Sequence, residues 1–157
     1  MCDGSVLTPD DDRYAEACAG WNLAWTQQPG VVVSAYSETD VAHAVQYASA
    51  HGMAVAIQTT GHGVTVPAGD ETLLIVTKGL DAVSIDPQER TATIGGGSMC
   101  APVLAAAQEH RLAPLMGSAP HVGSVGYSLG GGIGWLARKY GLAVDAIRSL
   151  RVVNRYS

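Results

Sequence analysis

The sequence predicts a globular fold of mixed strands and helices, and three features point to it. Between Val31 and Ile57 a β-branched run, a helix with an apolar stripe and a second apolar run follow one another, the order of a crossover unit that joins two parallel strands. Shorter strand-like runs and another apolar helix fill the second half. The third feature is glycine: seven of the 19 glycines lie between Gly117 and Gly134, so no regular helix or strand runs through that segment unbroken.

The elements follow in order. Thr8-Pro9-Asp10 introduces a short helix around Tyr14-Ala15-Glu16-Ala17-Cys18. After the turn at Pro29-Gly30, Val31-Val32-Val33 is a strand by propensity. Ser37 or Thr39 caps a helix over Asp40 to His51, whose Val41, Ala44, Val45 and Ala48 recur at helical spacing before a Gly52 stop. Ala54 to Ile57 is the second strand. Leu73 to Thr77, Val83 to Ile85 and Thr91 to Ile94 are short strands, with Asp86-Pro87 turning between the last two. A helix from Ala101 to His110, a helical Trp135 to Tyr140 stopped by Gly141, and a strand-like Ser149 to Val153 complete the pattern.

Composition narrows the function classes. At 157 residues and 47% hydrophobic, the chain has the size of one domain, or of two tightly fused subdomains, able to bury about two-thirds of its unfolded surface. A net charge of −5 with scattered Lys and Arg argues against a nucleic-acid partner. No apolar stretch approaches the ~20 residues that span a bilayer, and the acidic opening lacks the pattern of a signal peptide; no membrane is expected and the default location is cytoplasmic. Cys2, Cys18 and Cys100 have neither paired nor C-x-x-C spacing, so they are expected to be reduced structural thiols.

Two constellations carry chemistry. Thr59-Thr60-Gly61-His62-Gly63 directly follows the strand ending at Ile57, and glycines flanking a histidine let backbone approach a ligand closely; a turn histidine with a satisfied hydrogen bond is the plainer alternative. Gly117-Ser118-Ala119-Pro120-His121-Val122-Gly123 runs into Gly126-Tyr127-Ser128-Leu129-Gly130-Gly131-Gly132-Ile133-Gly134, backbone suited to presenting N–H groups to a pyrophosphate or to lying against a flat cofactor. Close-packed turns without a ligand are the alternative there. The segment has no P-loop ending and no G-x-G-x-x-G fingerprint.

Gly126-Tyr127-Ser128-Leu129-Gly130 also fits the nucleophile elbow of α/β-hydrolases, with Ser128 as nucleophile. In that fold the histidine follows the serine, whereas His43, His51, His62, His110 and His121 all precede Ser128. No metal is expected: His110 and His121 lack partners at ligand spacing, and Asp10-Asp11-Asp12 is a solvated, helix-capping run rather than a calcium loop. Gly95-Gly96-Gly97 is taken as a loop before the helix.

Together the glycine segments resemble the FAD-binding domain of the berberine-bridge-enzyme-like oxidases in the vanillyl-alcohol oxidase superfamily. The likeness extends over nearly the whole chain: Trp21-Asn22, the Val31-Val32-Val33 strand, the Thr60-Gly61-His62-Gly63 turn, Ile94 to Gly97, and the Gly117 to Gly141 signature with Arg138 and Tyr140. The resemblance implies an α+β, two-subdomain FAD-binding fold of the PCMH type, incomplete at the C-terminus, with the cofactor held between the subdomains. Residues 1–24 would be a polar lead with a short helix, and 25–157 the first part of the PCMH-type domain, the substrate domain being absent. By the same resemblance FAD is the cofactor, linked covalently through His62 to the flavin 8α-methyl. Gln58, Thr59, Thr60, Gly61, His62 and Gly63, with Gly117, Ser118, Val122 and Gly123, would hold pyrophosphate and flavin; Gly126, Gly131, Gly132 and Gly134 would adjoin the cofactor, and Val152 would sit near the adenine.

One departure limits the linkage. Bicovalent members carry a cysteine where this chain has Ala119, so the single link is through His62; Cys100 lies in a different segment and offers no substitute. A second departure is length. Family enzymes continue into a substrate domain with acid–base residues, so the catalytic base is unassigned and a small-molecule substrate is expected only where that domain is present. The complete enzyme would pass a hydride from substrate C–H to flavin N5, with dioxygen reoxidising the flavin. A non-catalytic flavin-binding or interaction remnant is the alternative.

Overall fold

The computed structural model of the chain describes residues 4–156 and divides them into two units, one ending at Gly79 and resuming at Arg151, the other Leu80–Leu150. Cys2 lies outside the described residues. The first unit contains β1 (Ser5–Leu7), α1 (Tyr14–Cys18), β2 (Val31–Ser34), α2 (Glu38–Ala50), β3 (Ala54–Gln58) and β4 (Thr72–Val76). Its sheet has the order β1-β2-β4-β3; β2 and β3 both run parallel to β4, and β1 is antiparallel to β2.

The crossover predicted between β2 and β3 is present, with β4 inserted between them. Apolarity explains the placement. Leu73, Leu74 and Ile75 are at most 1% exposed, as a strand covered on both faces must be, whereas Val55 and Ile57 of β3 are 42% and 69% exposed and suit an edge. Helix α2 starts at Glu38 because Ser37 takes the cap. The Ser37 hydroxyl accepts from Asp40 N–H at 3.1 Å while the Asp40 carboxylate accepts from Ser37 N–H at 3.0 Å, a reciprocal capping box. Asp40, fully buried, also accepts from Tyr36 N–H at 3.0 Å.

Strand β1 was not expected within the polar lead; three residues with one buried side chain, Leu7, are too few to show an alternating pattern. Leu7 joins Cys18, Val32, Leu74 and Val76 in a core cluster that Tyr14 packs against. The Tyr14 hydroxyl donates to the Pro29 carbonyl at 2.6 Å, and burial pushes this phenol up to about 12, so it stays a donor. In the acidic run, Asp11 accepts from the Thr8 N–H and hydroxyl at 2.7 and 3.0 Å, which holds its carboxyl below the usual range.

The second unit contains the antiparallel pair β5 (Val83–Asp86) and β6 (Thr91–Ile94), then α3 (Cys100–Glu109), α4 (Ser124–Leu129), α5 (Ala137–Tyr140) and a single 3₁₀ turn, Ala143–Ala146. The Asp86 carboxylate makes the hairpin turn by accepting from Gln88 and Glu89 N–H, each at 2.9 Å. Ser149 to Val153, expected as a strand, joins no ladder among the described residues. Leu150 and Val152 are 59% and 70% exposed, and extended propensity without a partner edge makes no strand. Among the described residues no helix is long and apolar enough to cross a membrane.

The centre of the first sheet sets an expectation for stability. Leu74→Ala should cost about 2–5 kcal/mol, while Val55→Ala on the exposed edge should cost under about 1 kcal/mol, both read from urea unfolding midpoints.

Candidate functional site

Strand β3 ends in a buried glutamine, and the histidine turn begins there. Gln58 is 3% exposed; its side-chain N–H group donates to the carbonyls of Cys18 and Ala19 at 3.4 and 3.3 Å, and its oxygen accepts from Gln27 Nε2. Gln27, also buried, accepts from Ala68 N–H at 3.4 Å. Thr59 and Thr77 hydroxyls bond each other at 2.8 Å, and the Thr60 carbonyl accepts from Trp21 N–H at 2.8 Å.

These bonds bring Gly20 and Gly61 together. Gly61 adopts φ +75°, and a Cβ there would stand 2.6 Å from Gly20 Cα, so the left-handed backbone and the close approach both demand glycine. His62 then projects onto Trp21: their rings stack at 4.4 Å and 11°. The His62 Nδ1 shares a hydrogen bond of 2.8 Å with the Thr60 hydroxyl. Ring plane and ring rotation are therefore each held by one contact. At the next residue, a Cβ on Gly63 would meet nothing within 4 Å. Thr59 through Gly63, the constellation read from the sequence, directly follow the buried Gln58; Gln27 was missed because a lone glutamine in a loop carries no pattern.

In the second unit the 117–123 loop is fixed to α3. Cys100 N–H donates to the Val122 carbonyl at 2.9 Å and Ala101 N–H to the Pro120 carbonyl at 2.8 Å, satisfying donors that a helix start otherwise leaves unmet. Pro102 has no N–H to satisfy. Ser124 N–H donates to the Ser98 carbonyl at 2.8 Å, and Gly123 bridges Met99. Among the described residues, Gly117 and Ser118 N–H donate no hydrogen bond.

The remaining glycines divide by what surrounds them. A Cβ at Gly132 would meet Ala143 Cβ at 2.5 Å, and one at Gly134 would meet the Met116 carbonyl and, at 3.1 Å, the Tyr127 hydroxyl; packing within the protein requires both glycines. At Gly126 and Gly131 a Cβ would meet nothing within 4 Å. Gly95 to Gly97 form the loop expected before α3, with Gly95 and Gly97 N–H bonded to the Ala82 and Leu80 carbonyls at 2.8 and 2.9 Å.

Cys100, placed by sequence in a different segment from Ala119, lines the same open cavity of ≈ 190 Å³ together with Ser118, Val122, Tyr127 and Ile133, because the helix start is bonded to that loop. Cys100 and Cys18 are buried and free, in keeping with structural thiols. Ser128 lies within α4, which no strand precedes directly, so it is not on the strand-to-helix turn that a hydrolase nucleophile needs. His43, His51, His110 and His121 are exposed, and among the described residues no three His, Cys, Asp or Glu side chains gather as metal ligands would.

Comparison with known proteins agrees with this architecture. Residues 29–156 match the family described as FAD binding domain. The chain is 32% identical over 151 residues to (R)-6-hydroxynicotine oxidase of Paenarthrobacter nicotinovorans, an alignment covering 96% of this chain and 33% of that protein. The crystal structure of 6-hydroxy-D-nicotine oxidase from Arthrobacter nicotinovorans superposes with a TM-score of 0.84 at 31% identity, covering 92% of this chain and 32% of that one. Berberine-bridge-enzyme-like 1 of Physcomitrella patens superposes with a TM-score of 0.82 at 27% identity, over 91% of this chain and 32% of that one. The chain spans about one third or less of the length of the curated relatives it matches.

The two glycines beside His62 should respond differently to a methyl group. Gly61→Ala, strained in φ and colliding with Gly20, should destabilise the protein by about 1–3 kcal/mol. Gly63→Ala, facing open space, should change stability by less than about 0.5 kcal/mol, both measured by chemical denaturation.

Proposed function

We propose that this chain, which belongs to the FAD binding domain family within the berberine-bridge-enzyme-like branch of the vanillyl-alcohol oxidase superfamily, holds FAD through one covalent bond at His62 as part of an oxidase. The observation that carries this is the restraint on the imidazole: stacked on Trp21 at 4.4 Å and bonded through Nδ1 to Thr60 at 2.8 Å. A nucleophilic ring kept in one orientation meets the positional demand of forming a single defined bond. When bound, FAD would supply the two-electron acceptor for hydride removal from a substrate C–H, with dioxygen as the terminal oxidant.

The chain's own groups fit such a ligand. In the first unit, a side chain at Gly63, the residue after His62, would meet nothing within 4 Å, and the buried Gln58 amide holds the end of β3 from which the turn departs. In the second, the Gly117 and Ser118 amides are donors without a partner among the described residues, the kind of group that binds phosphate oxygens. Gly126 and Gly131 expose bare backbone, and Val152, 70% exposed, offers apolar surface for the adenine. Ala119 carries no sulfur, so one link rather than two is expected.

Protein expressed with FAD and precipitated in acid should retain yellow colour in the pellet, and His62→Ala should move essentially all of it to the supernatant. A native preparation that takes up no flavin would overturn the proposal, and colour retained in the His62→Ala pellet would overturn the point of attachment.

A further inference from the structure

The glycine-dense segment holds a tyrosine that the proposed function leaves unused. Tyr127, on α4, lies in a slot made by three glycines: a Cβ at Gly117 would stand 3.0 Å from ring atom Cε2, one at Gly132 2.9 Å from Cε1, and one at Gly134 3.1 Å from the hydroxyl. The ring is admitted only because those three side chains are missing. At the end of the slot the hydroxyl oxygen is buried and has no hydrogen-bond partner among the described residues.

A buried phenol that donates to nothing is unfavourable, and phenylalanine would fill the slot without that cost. Packing therefore accounts for the ring and leaves the hydroxyl unexplained. Tyr127 also lines the ≈ 190 Å³ cavity with Ser118, Ala119 and Val122, the loop whose Gly117 and Ser118 amides lack partners among the described residues. The cavity is thus lined by three residues, Gly117, Ser118 and Tyr127, each carrying a donor with no protein acceptor among the described residues.

We propose that Tyr127 is a cofactor-binding residue whose hydroxyl donates a hydrogen bond to an acceptor atom of the flavin cofactor. The inference rests on the proposal that the chain holds FAD. Burial, and secondarily the neighbouring Cys100, raise the phenol above its ordinary value, so it remains a neutral donor at physiological pH and requires an acceptor. A single neutral hydrogen bond of this kind carries about a tenfold change in affinity at most.

The test compares Tyr127 with Phe in the full chain. In a His62→Ala background, where binding is reversible, Tyr127→Phe should weaken FAD binding about five- to tenfold by flavin-fluorescence titration. The same ratio should appear with His62 intact, as the FAD concentration that half-saturates acid-stable incorporation. Without FAD, the thermal midpoint should stay unchanged or rise, because the variant removes an unmet buried donor. Equal FAD affinity with and without the hydroxyl would overturn the inference, leaving at most a bound water as its partner. A lowered midpoint without FAD would also overturn it, since the hydroxyl would then be serving the fold. If the chain with Tyr127 and His62 both intact takes up no flavin, the proposed function itself fails and the inference with it.

Discussion

The buried side-chain amide of Gln58 is the constraint on which the histidine turn depends. It lies at the end of β3 and bonds to the carbonyls of Cys18 and Ala19 and to the amide of Gln27. Removing one member would leave the others buried and unmet, at about 1–3 kcal/mol for each orphaned group, so the network forms as a set. Because Cys18 and Ala19 immediately precede Gly20 and Trp21, the same bonds that secure the strand end deliver the two residues that touch Gly61 and His62. The imidazole is positioned by backbone crossing first and by its own contacts second.

The second unit reaches a comparable order by different means. Carbonyls of the 117–123 loop satisfy the first amides of α3, so the loop is held by the helix rather than by its own side chains. Glycine serves two purposes there. Gly117, Gly132 and Gly134 make room for protein atoms, chiefly the Tyr127 ring, whereas Gly126 and Gly131 leave backbone facing open space. The first group builds the segment, and the second leaves backbone uncovered by protein atoms.

Much of the first unit was legible in the sequence because its signals are local. The Val31 strand, the Ser37 cap and the apolar Leu73-Leu74-Ile75 run each declare themselves within a few residues. What local patterns cannot carry is pairing: that β4 inserts between β2 and β3, that Ser5–Leu7 adds an antiparallel edge, and that Ser149 to Val153 finds no partner. The turn from Thr59 to Gly63 was legible as a unit, since glycines around a histidine after a strand are unusual in themselves. Gln27 and the cavity shared by Cys100 and Ala119 were not, because the Gln27 contacts span 31 and 41 positions of chain and those of Cys100 span 19 and 24. The G-x-S-x-G pattern shows the opposite error: a local match whose structural setting, the interior of α4, is wrong for the chemistry.

Proteolytic peptide mapping by mass spectrometry of protein expressed with FAD is the sharpest test of the proposed attachment of flavin to the restrained imidazole of His62. Attachment at His62 requires a flavin adduct on the peptide containing that residue, with fragmentation locating the added mass on the histidine. An adduct mapped to Cys100, or every peptide recovered at its unmodified mass from flavin-loaded protein, would contradict it.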